Sequence, residues 1–171
     1  QFDQLEDGDY FVKIEAKHFD GVLNYGELII PGENQKEVFI STYICHPSMA
    51  NNELSGPTVV TFLAKWLTDL SERNYTYRII FIPETIGSIT YLSLNYDEMK
   101  QKVISGFNVS CVGDDRAYSY LPSRDGNTLS DDIAKHVLKH IDPRFKSYTW
   151  LDRGSDERQY CAPGIDLPIA S

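Results

Sequence analysis

Residues that could hydrolyse a bond follow two apolar, β-branched stretches of this 171-residue sequence. His46 comes directly after residues 37–45, and Glu84 comes after residues 77–82 and Pro83. A histidine can offer a neutral ring nitrogen to a metal ion, and a nearby carboxylate can act as general base on a metal-bound water. Each residue also has a simpler interpretation: His46 as a loop residue that caps a backbone group, and Glu84 as an acidic residue favoured at the positive end of a helix.

Polar residues in neighbouring loops are further candidates for ligands or substrate contacts. Asn52 and Glu53 precede a predicted helix, Asp114 follows a predicted strand, and Asp156 could orient a group of the site or an internal arginine. Asn is common in caps and turns, and acidic loop residues are usually solvated, so a purely structural interpretation also stands for these positions. The arginines that could clamp a substrate carboxylate bidentately are Arg124, Arg153 and Arg158.

The three cysteines indicate neither a disulfide framework nor a cysteine-based zinc site. Cys45, Cys111 and Cys161 are odd in number, widely spaced and without a CxxC pair. We therefore expect a reducing, cytoplasmic location. We expect Cys45 and Cys111 to be small buried apolar residues and not nucleophiles.

The bulk composition excludes several function classes. A formal net charge of −9 and a pI of about 4.8 argue against a nucleic-acid ligand, which needs clustered Lys and Arg. No apolar run has membrane-spanning length, so we predict no membrane partner. With 42% hydrophobic residues, the chain is predicted to form a single domain over residues 1–171, cut at both ends.

The predicted secondary structure places the polar residues at one edge of a sheet. Strands are predicted at residues 10–16, 24–30, 37–45, 77–82, 103–112, 148–151 and 167–170, and helices at residues 55–70, 88–100 and 128–141. The strand–helix alternation implies an α/β fold with a mostly parallel, mixed sheet and helices on both faces. Because sites in such sheets lie beyond the carboxyl ends of the strands, His46, Glu84, Gly113 and Asp156 are predicted to share one rim.

Two helices carry more specific expectations. In the helix at residues 128–141, Thr128 is a predicted N-cap and Asp131 lies in the first turn. In the helix at residues 55–70, apolar residues recur at offsets of three and four and predict its buried face. These residues are Val59, Phe62, Leu63, Trp66, Leu67 and Leu70.

Three segments together resemble the M28-type zinc aminopeptidases. They are residues 46–56, residues 83–88, and residues 154–156 with residues 162–168. The sequence of these segments resembles still more closely a bacterial branch of aminopeptidase-like proteins, some of which are labelled polysaccharide biosynthesis proteins. The resemblance covers roughly residues 37–171, and the order of the segments makes it more specific than any one of them. It implies a zinc-exopeptidase-like (phosphorylase/hydrolase-like) three-layer architecture.

The sequence departs from that family at several metal ligands. Asn52 stands where the family has its metal-bridging Asp, and Thr85 stands where it has a second Glu ligand. Its next Asp ligand should fall near Ser110 or Cys111, and its last His ligand lies beyond Ser171. We therefore expect at most one zinc ion, held by His46 with Glu53 or Asp114, and Glu84 as the general base.

Two functions remain open on the sequence. The first is a metal-dependent hydrolase that cleaves an amide bond in a peptide or peptide-like substrate. The second is a catalytically reduced module that binds a peptide or saccharide in polysaccharide biosynthesis. The predicted substrate contacts are Asn52, Arg124, Asp156 and Arg158. A flavodoxin-like nucleotide binder would need a Gly-rich phosphate loop after the first central strand, and none is present there. The sequence leaves the oligomeric state open.

Overall fold

A five-stranded mixed sheet forms the centre of the computed structural model, which describes residues 6–45 and 50–171. The strands along the chain are β1 (Gly26–Ile30), β2 (Glu37–Tyr43), β3 (Thr76–Ile82), β4 (Val103–Asn108), β5 (Ser119–Tyr120), β6 (Lys146–Ser147) and β7 (Ile169–Ala170). The main sheet has the order β1-β3-β2-β4-β7, and β5 and β6 form a separate two-stranded sheet.

Four strands of the main sheet run parallel, and β1 runs antiparallel at one edge. Ile40 of β2 lies opposite Ile79 of β3, and Gly106 of β4 lies opposite Ile169 of β7. Gly26 of β1 pairs with Phe81 near the end of β3. The carboxyl ends of β3, β2, β4 and β7 therefore meet at one edge of the sheet, which we call the carboxyl edge.

Helices cover the sheet and connect its strands. They are α1 (Ser55–Asp69), α2 (Ile86–Lys102), α3 (Leu129–Ile141) and α4 (Glu157–Tyr160), with a π-helical turn at Ala50–Leu54 and a 3₁₀ turn at Trp150–Asp152. Strands buried by helices on both faces have near-continuous runs of apolar and β-branched residues, and β2 and β3 follow this pattern apart from polar positions such as Glu37 and Arg78.

The core has two parts, one on each face of the sheet. Phe39, Ile80 and Tyr91 belong to the part that also includes residues of α2 and α4. Ile40 and Ile79 belong to the other part, with Val60 and Leu67 of α1. Because neighbouring residues of a strand point to opposite faces, consecutive residues such as Phe39 and Ile40 bind the two layers of helices. The predicted α/β fold, with a mostly parallel sheet and helices on both faces, is confirmed.

Helix α3 begins as predicted. Thr128 and Asp131 form a capping box, in which the Thr128 side chain accepts from the backbone of Asp131 and the Asp131 carboxylate accepts from the Thr128 backbone. The Asp131 carboxylate also accepts hydrogen bonds from Ser123 and Tyr120. The start of α3 is therefore tied to the loop that follows β5.

The predicted strand at residues 10–16 is wrong. These residues form no strand in the structure, and Phe11 and Ile14 are 91% and 82% exposed. Alternation of apolar and polar residues specifies a strand face, but a strand also needs a neighbour, and no described strand pairs with this segment. The predicted strand at residues 148–151 is also wrong, because Thr149 and Asp152 form a capping box around a 3₁₀ turn.

Helix α1 has two apolar stripes, and the sequence does not distinguish them. Val60, Ala64 and Leu67 are buried against the sheet, whereas Phe62 and Trp66 are 73% and 59% exposed. The predicted buried face was therefore only partly correct. Within the described residues, no helix combines the length and apolarity needed to cross a bilayer.

Candidate active site

Cys45 joins the two segments that carry Glu53 and Glu84. The backbone N–H of Cys45 donates to Glu53 Oε2 over 2.6 Å, and the backbone N–H of Glu84 donates to Cys45 Sγ over 2.9 Å. Glu53 lies on the π-helical turn and is only 7% exposed. His46, the residue after Cys45, lies outside the described residues. Two carboxylate-bearing segments thus converge on the residue that precedes the predicted metal-binding histidine.

The thiol of Cys45 is not set up as a nucleophile. Burial raises its pKa, and the negative charges of Glu53, Glu84 and Asp156 raise it further. A thiol with a raised pKa is poorly ionised at neutral pH, and only the thiolate is a strong nucleophile. Cys45 and Cys111 are nevertheless exposed residues, so the expectation that both are buried was wrong. Both lie in the loops that follow strands, Cys45 after β2 and Cys111 after β4.

Glu84 is held where strand β3 ends. The carbonyl of Ile82 accepts the last ladder bond, from Ile44 N at 2.9 Å, and Pro83 then supplies no donor to continue the ladder. Glu84 is partly buried. A carboxylate in this position can reach solvent from a fixed backbone, as a general base requires.

Thr85 adopts a strained conformation immediately after Glu84. Its φ is +64° and its ψ is −70°, and the N–H of Ile86 donates to the carbonyl of Glu84 over 2.8 Å. These features define the uncommon γ-turn with positive φ, which costs a β-branched residue on the order of 1–3 kcal/mol. Strained residues of this kind cluster at functional sites.

Asp156 supports this turn from the protein interior. Its carboxylate oxygen Oδ1 accepts hydrogen bonds from Thr85 N at 2.7 Å and from Ser88 Oγ at 2.8 Å. The residue is fully buried, and its Oδ2 has no hydrogen-bond partner among the described residues. Burial raises the pKa of Asp156 to about 6, although its hydrogen bonds to Thr85 and Ser88 oppose the shift. The nearby charges of Glu84 and Glu157 add to the rise.

Glu157 holds the loop that presents Asp156. Its Oε1 accepts from the backbone N–H groups of Gly154 and Ser155, and its Oε2 accepts from Asn108 Nδ2 at the end of β4. Glu157 is only 1% exposed. The segment that carries Asp156 is therefore fixed against the carboxyl edge through β4.

The loop after β4 forms a separate cluster. Asn51 Oδ1 accepts from Gly113 N over 2.8 Å, and Asn51 Nδ2 donates to Asp114 Oδ2 over 3.3 Å. A side chain on Gly113 would approach Ser55 Cβ to 2.7 Å, so the close contact between this loop and α1 requires glycine. Asp114 pairs with Arg116, and the hydrogen bonds from Arg116 hold the pKa of Asp114 below its usual range.

The contacts given below for the remaining predicted site residues do not involve Glu84. Asn52 is partly buried on the π-helical turn. Arg124 forms an ion pair with Asp166 beside a cavity of about 370 Å³. Arg158 is exposed, and its Nε donates to the carbonyl of Ser155 over 3.2 Å. Among the predicted site residues, the structure brings together Glu53, Glu84 and Asp156 through Cys45 and Thr85.

Metal ligation is incomplete within the part of the chain that the structure describes. No group of three or more His, Cys, Asp and Glu side chains in residues 6–45 and 50–171 is arranged to hold a metal ion. The oxygens of Asp114 already bind Arg116 and Asn51. The described residues alone therefore do not form a zinc site.

Two residues of this region were missed on the sequence. Ser88 reads as a residue of a tight helix entry, and Glu157 reads as an ordinary acidic residue in a polar loop. Their burial and contacts depend on segments 68 and 49 residues away, namely Asp156 for Ser88 and Asn108 for Glu157. The positive φ of Thr85 has no sequence signal either, because such a conformation favours glycine.

Comparison with known proteins places the chain in a family. Residues 8–171 match the family described as "Domain of unknown function (DUF4910)". The chain belongs to the DUF4910 family. It is 44% identical over 171 residues to a Clostridium acetobutylicum protein provisionally named as a polysaccharide biosynthesis protein with an aminopeptidase-like domain. This DUF4910 chain spans 39% of that relative's length.

Solved structures share the fold. A crystal structure of a provisionally assigned Clostridium acetobutylicum peptidase superposes with a TM-score of 0.82 at 44% identity, over 86% of this chain and 34% of that one. The aminopeptidase from Aneurinibacillus sp. strain AM-1 superposes with a TM-score of 0.66 at 18% identity, over 84% of this chain and 37% of that one. Legionella LapA gives 0.63 at 13% identity, over 85% of this chain and 44% of that one. The expected zinc-exopeptidase-like fold is confirmed, and the two more distant likenesses show the fold alone.

Proposed function

We propose that this DUF4910 chain is part of an aminopeptidase-type hydrolase, related to the M28 zinc aminopeptidases, that cleaves an amide bond in a peptide or peptide-like substrate. The observation that carries the proposal is the convergence of Glu53 and Glu84 on Cys45, the residue before His46. The 44% identity to a protein named for an aminopeptidase-like domain supports it.

Glu84 is the general base in this proposal. Its carboxylate accepts a proton from the attacking water as the water oxygen bonds to the scissile carbonyl carbon. The C–N bond then breaks, and Glu84 delivers the same proton to the leaving amine, so the carboxylate is regenerated. The fixed backbone on both sides of Glu84, through Cys45 and Thr85, keeps the carboxylate in place for both transfers.

A single zinc ion is part of the proposal, with His46 and Glu53 as its first candidate ligands. When bound, zinc supplies a Lewis acid that polarises the scissile carbonyl. Asp114 is the weaker candidate, because its oxygens would have to exchange Arg116 for the metal. With Asn52 in place of the bridging carboxylate, a second ion has no anionic bridge at this position.

The competing proposal is a catalytically reduced module that binds a peptide or saccharide. The neutral residues Asn52 and Thr85 at the family's ligand positions favour it. The Clostridium relative is named as a polysaccharide biosynthesis protein, and this name supports a role of such a module in that process. Arg124, Arg158 and Asn52 would then contribute more to binding than Glu84.

The test compares the full-length wild type with Glu84→Gln at saturating zinc, using aminoacyl-4-nitroanilides and short peptides. Glu84→Gln keeps the side-chain size and removes the base, so turnover is expected to fall by about 10²–10⁴ while folding and zinc content are retained. Glu72→Gln, on the exposed loop after α1, is the matched control and should retain wild-type turnover. Elemental emission should find no more than one zinc per chain, and His46→Ala should lose it.

Equal turnover in the wild type and Glu84→Gln would remove the catalytic role of Glu84. If the wild type cleaves none of these amides at saturating zinc, the binding module takes the place of the hydrolase. Two zinc ions per chain would contradict the single-ion site.

A further inference from the structure

The backbone around Glu84 is fixed by contacts on both of its sides. On the preceding side, Glu84 N donates to Cys45 Sγ over 2.9 Å. On the following side, Asp156 Oδ1 accepts from Thr85 N over 2.7 Å. We propose that Asp156 is a positioning residue that fixes the direction of the Glu84 carboxylate by holding the strained turn at Thr85. This inference rests on the proposed hydrolase function.

The turn at Thr85 needs an external support. With φ at +64° and an internal hydrogen bond from Ile86 N to Glu84 O, it is a conformation that a β-branched residue does not adopt by itself. If Thr85 relaxed to a negative φ, the chain direction at Glu84 would change and its carboxylate would move. A displacement of about 1 Å in a catalytic group can lower turnover about 10²-fold.

Asp156 supplies this support by accepting from the N–H of Thr85 in the turn and from the hydroxyl of Ser88 at the start of α2. Ser88 Oγ lies 2.8 Å from Asp156 Oδ1 and 3.0 Å from the carbonyl oxygen of Thr85. Its single proton goes to the ionised carboxylate, which is the stronger acceptor, and this fixes Ser88 beside the turn. Hydrogen bonds to a charged acceptor are roughly twice as strong as those between neutral groups. The ionised form of Asp156 is therefore the form that holds Thr85 most firmly.

A structural role alone does not explain a carboxylate at this position. Asp156 is fully buried, forms no ion pair with any described Lys or Arg, and leaves Oδ2 without a hydrogen-bond partner. The charged or titratable groups that act on it are Glu84, Glu157 and Tyr160, together with the Cys45 thiol, and none of them is a cation. A neutral acceptor such as Asn would accept from Thr85 and Ser88 without a buried charge, but through weaker hydrogen bonds.

Protonation of Asp156 should appear in the pH dependence of turnover. Burial raises the pKa of Asp156 to about 6, so the carboxylate gains a proton as the pH falls through this value. The turn then loses its charged acceptor, and the wild-type kcat should decrease on the acid side. Because the group acts through Thr85 and not on the substrate, KM should change little.

The test uses full-length wild type, Glu84→Gln, Asp156→Asn, Ser88→Ala and the control Asp97→Asn, which removes an exposed carboxylate from α2. For Asp156→Asn we expect kcat to fall about 10- to 100-fold with KM changed less than about threefold, in line with loss of orientation of an acid–base group. Its kcat profile should also lack the acid limb near pH 6. Ser88→Ala, which removes one of the two donors, should lose about three- to tenfold in kcat. Asp97→Asn should match the wild type.

The outcomes separate this inference from the proposed function. If Glu84→Gln loses turnover while Asp156→Asn keeps the wild-type kcat and pH profile, the positioning role is overturned and the hydrolase stands. If the wild type hydrolyses no amide, both are overturned. If Asp156→Asn does not fold, Ser88→Ala decides, since wild-type kcat in that variant overturns the role and a kcat loss at constant KM supports it.

Discussion

Buried carboxylates at the two ends of the sheet are stabilised in opposite ways. At the amino end of β2, Glu37 accepts two hydrogen bonds from the guanidinium of Arg78, at 2.6 and 3.0 Å. At the carboxyl edge, Asp156 accepts, among the residues that the structure describes, only from the neutral donors of Thr85 and Ser88. Both carboxylates are almost fully buried, so a difference in exposure to solvent does not explain why one has a cationic partner and the other has neutral donors.

Arg78 neutralises more than one acid. Its guanidinium also binds Glu98 and Glu27, which are exposed on one side, and the hydroxyl of Tyr91. Burial alone would lower the pKa of Arg78, but the hydrogen bonds that Arg78 donates to Glu37 and Tyr91 hold this pKa above its usual range. A buried charge with a matched partner maintains structure, whereas a buried charge without one costs stability that is tolerated where function needs it.

Removing the cation at the amino end should give the largest change in stability. Arg78→Met leaves Glu37 buried without its partner, and loss of one member of a buried pair costs about 3–5 kcal/mol in the free energy of unfolding. Urea denaturation followed by circular dichroism measures the change. Arg116→Met, which removes the partner of Asp114 on the exposed loop, should leave the unfolding midpoint unchanged.

The double variant Arg78→Met/Glu37→Met sharpens this test. Replacing both members of a buried pair by apolar residues is often neutral or stabilising, so the double variant should be more stable than Arg78→Met alone. Equal destabilisation of the single and double variants would mean that packing, and not the unpaired charge, determines the loss.

At the carboxyl edge, we expect a smaller change in the free energy of unfolding, and this change depends on pH because Asp156 has no cationic partner among the described residues. The folded-state pKa of Asp156 is raised to about 6, above the pKa of ~4 that an Asp has in an unfolded chain. Its protonated form is thus favoured by folding, and the stability it contributes is present at low pH and lost as the pH rises through about 6. Between pH 5 and 8 the wild type should lose on the order of 1 kcal/mol relative to Asp156→Asn.

This difference is measured by chemical denaturation of both proteins across the pH range, so that groups common to both cancel. If the two proteins keep a constant difference in unfolding free energy from pH 5 to 8, Asp156 does not titrate near pH 6. The contrast between the two ends of the sheet would then be one of geometry alone.

The smallest effect is expected at the strained turn. Thr85→Gly relieves a positive φ but increases the entropy of the unfolded chain, and the two terms are each about 1 kcal/mol. The variant should therefore be as stable as the wild type or more stable, by up to about 1 kcal/mol. Thr61→Gly, the same substitution at an exposed α1 position, should lose about 0.5 kcal/mol. A larger loss in Thr85→Gly than in Thr61→Gly would show that the turn is not strained.

The central elements were predictable because their signals are local. The apolar runs that became β2 and β3 and the polar cap that begins α3 are written into a few consecutive residues. The position of Glu84 at a strand end follows from the same run and from Pro83. The order of strands and helices was sufficient to predict a mostly parallel sheet and its carboxyl edge.

Other local signals were misleading because they do not specify a partner. Residues 10–16 alternate like a strand, yet no described strand pairs with them. Phe62 and Trp66 have helical spacing, yet the stripe of Val60, Ala64 and Leu67 is the one packed on the sheet. Periodicity shows which residues share a face, but only the neighbouring element determines which face is buried.

The sequence by itself determined the fold class, the end of β3 before Pro83 and three of the acids near the candidate site, namely Glu53, Glu84 and Asp156. Only the tertiary structure decided which of those acids meet, because Asp156 contacts Thr85 across 71 residues of chain and Glu37 contacts Arg78 across 41. The sequence also does not show what stabilises the charge of each acid, because it does not reveal whether the partner of a carboxylate is a guanidinium or a backbone N–H. The burial and partners that separate Glu37 from Asp156 arise only when distant segments pack together, because desolvation and hydrogen bonding depend on the surroundings in space and not on neighbours along the chain.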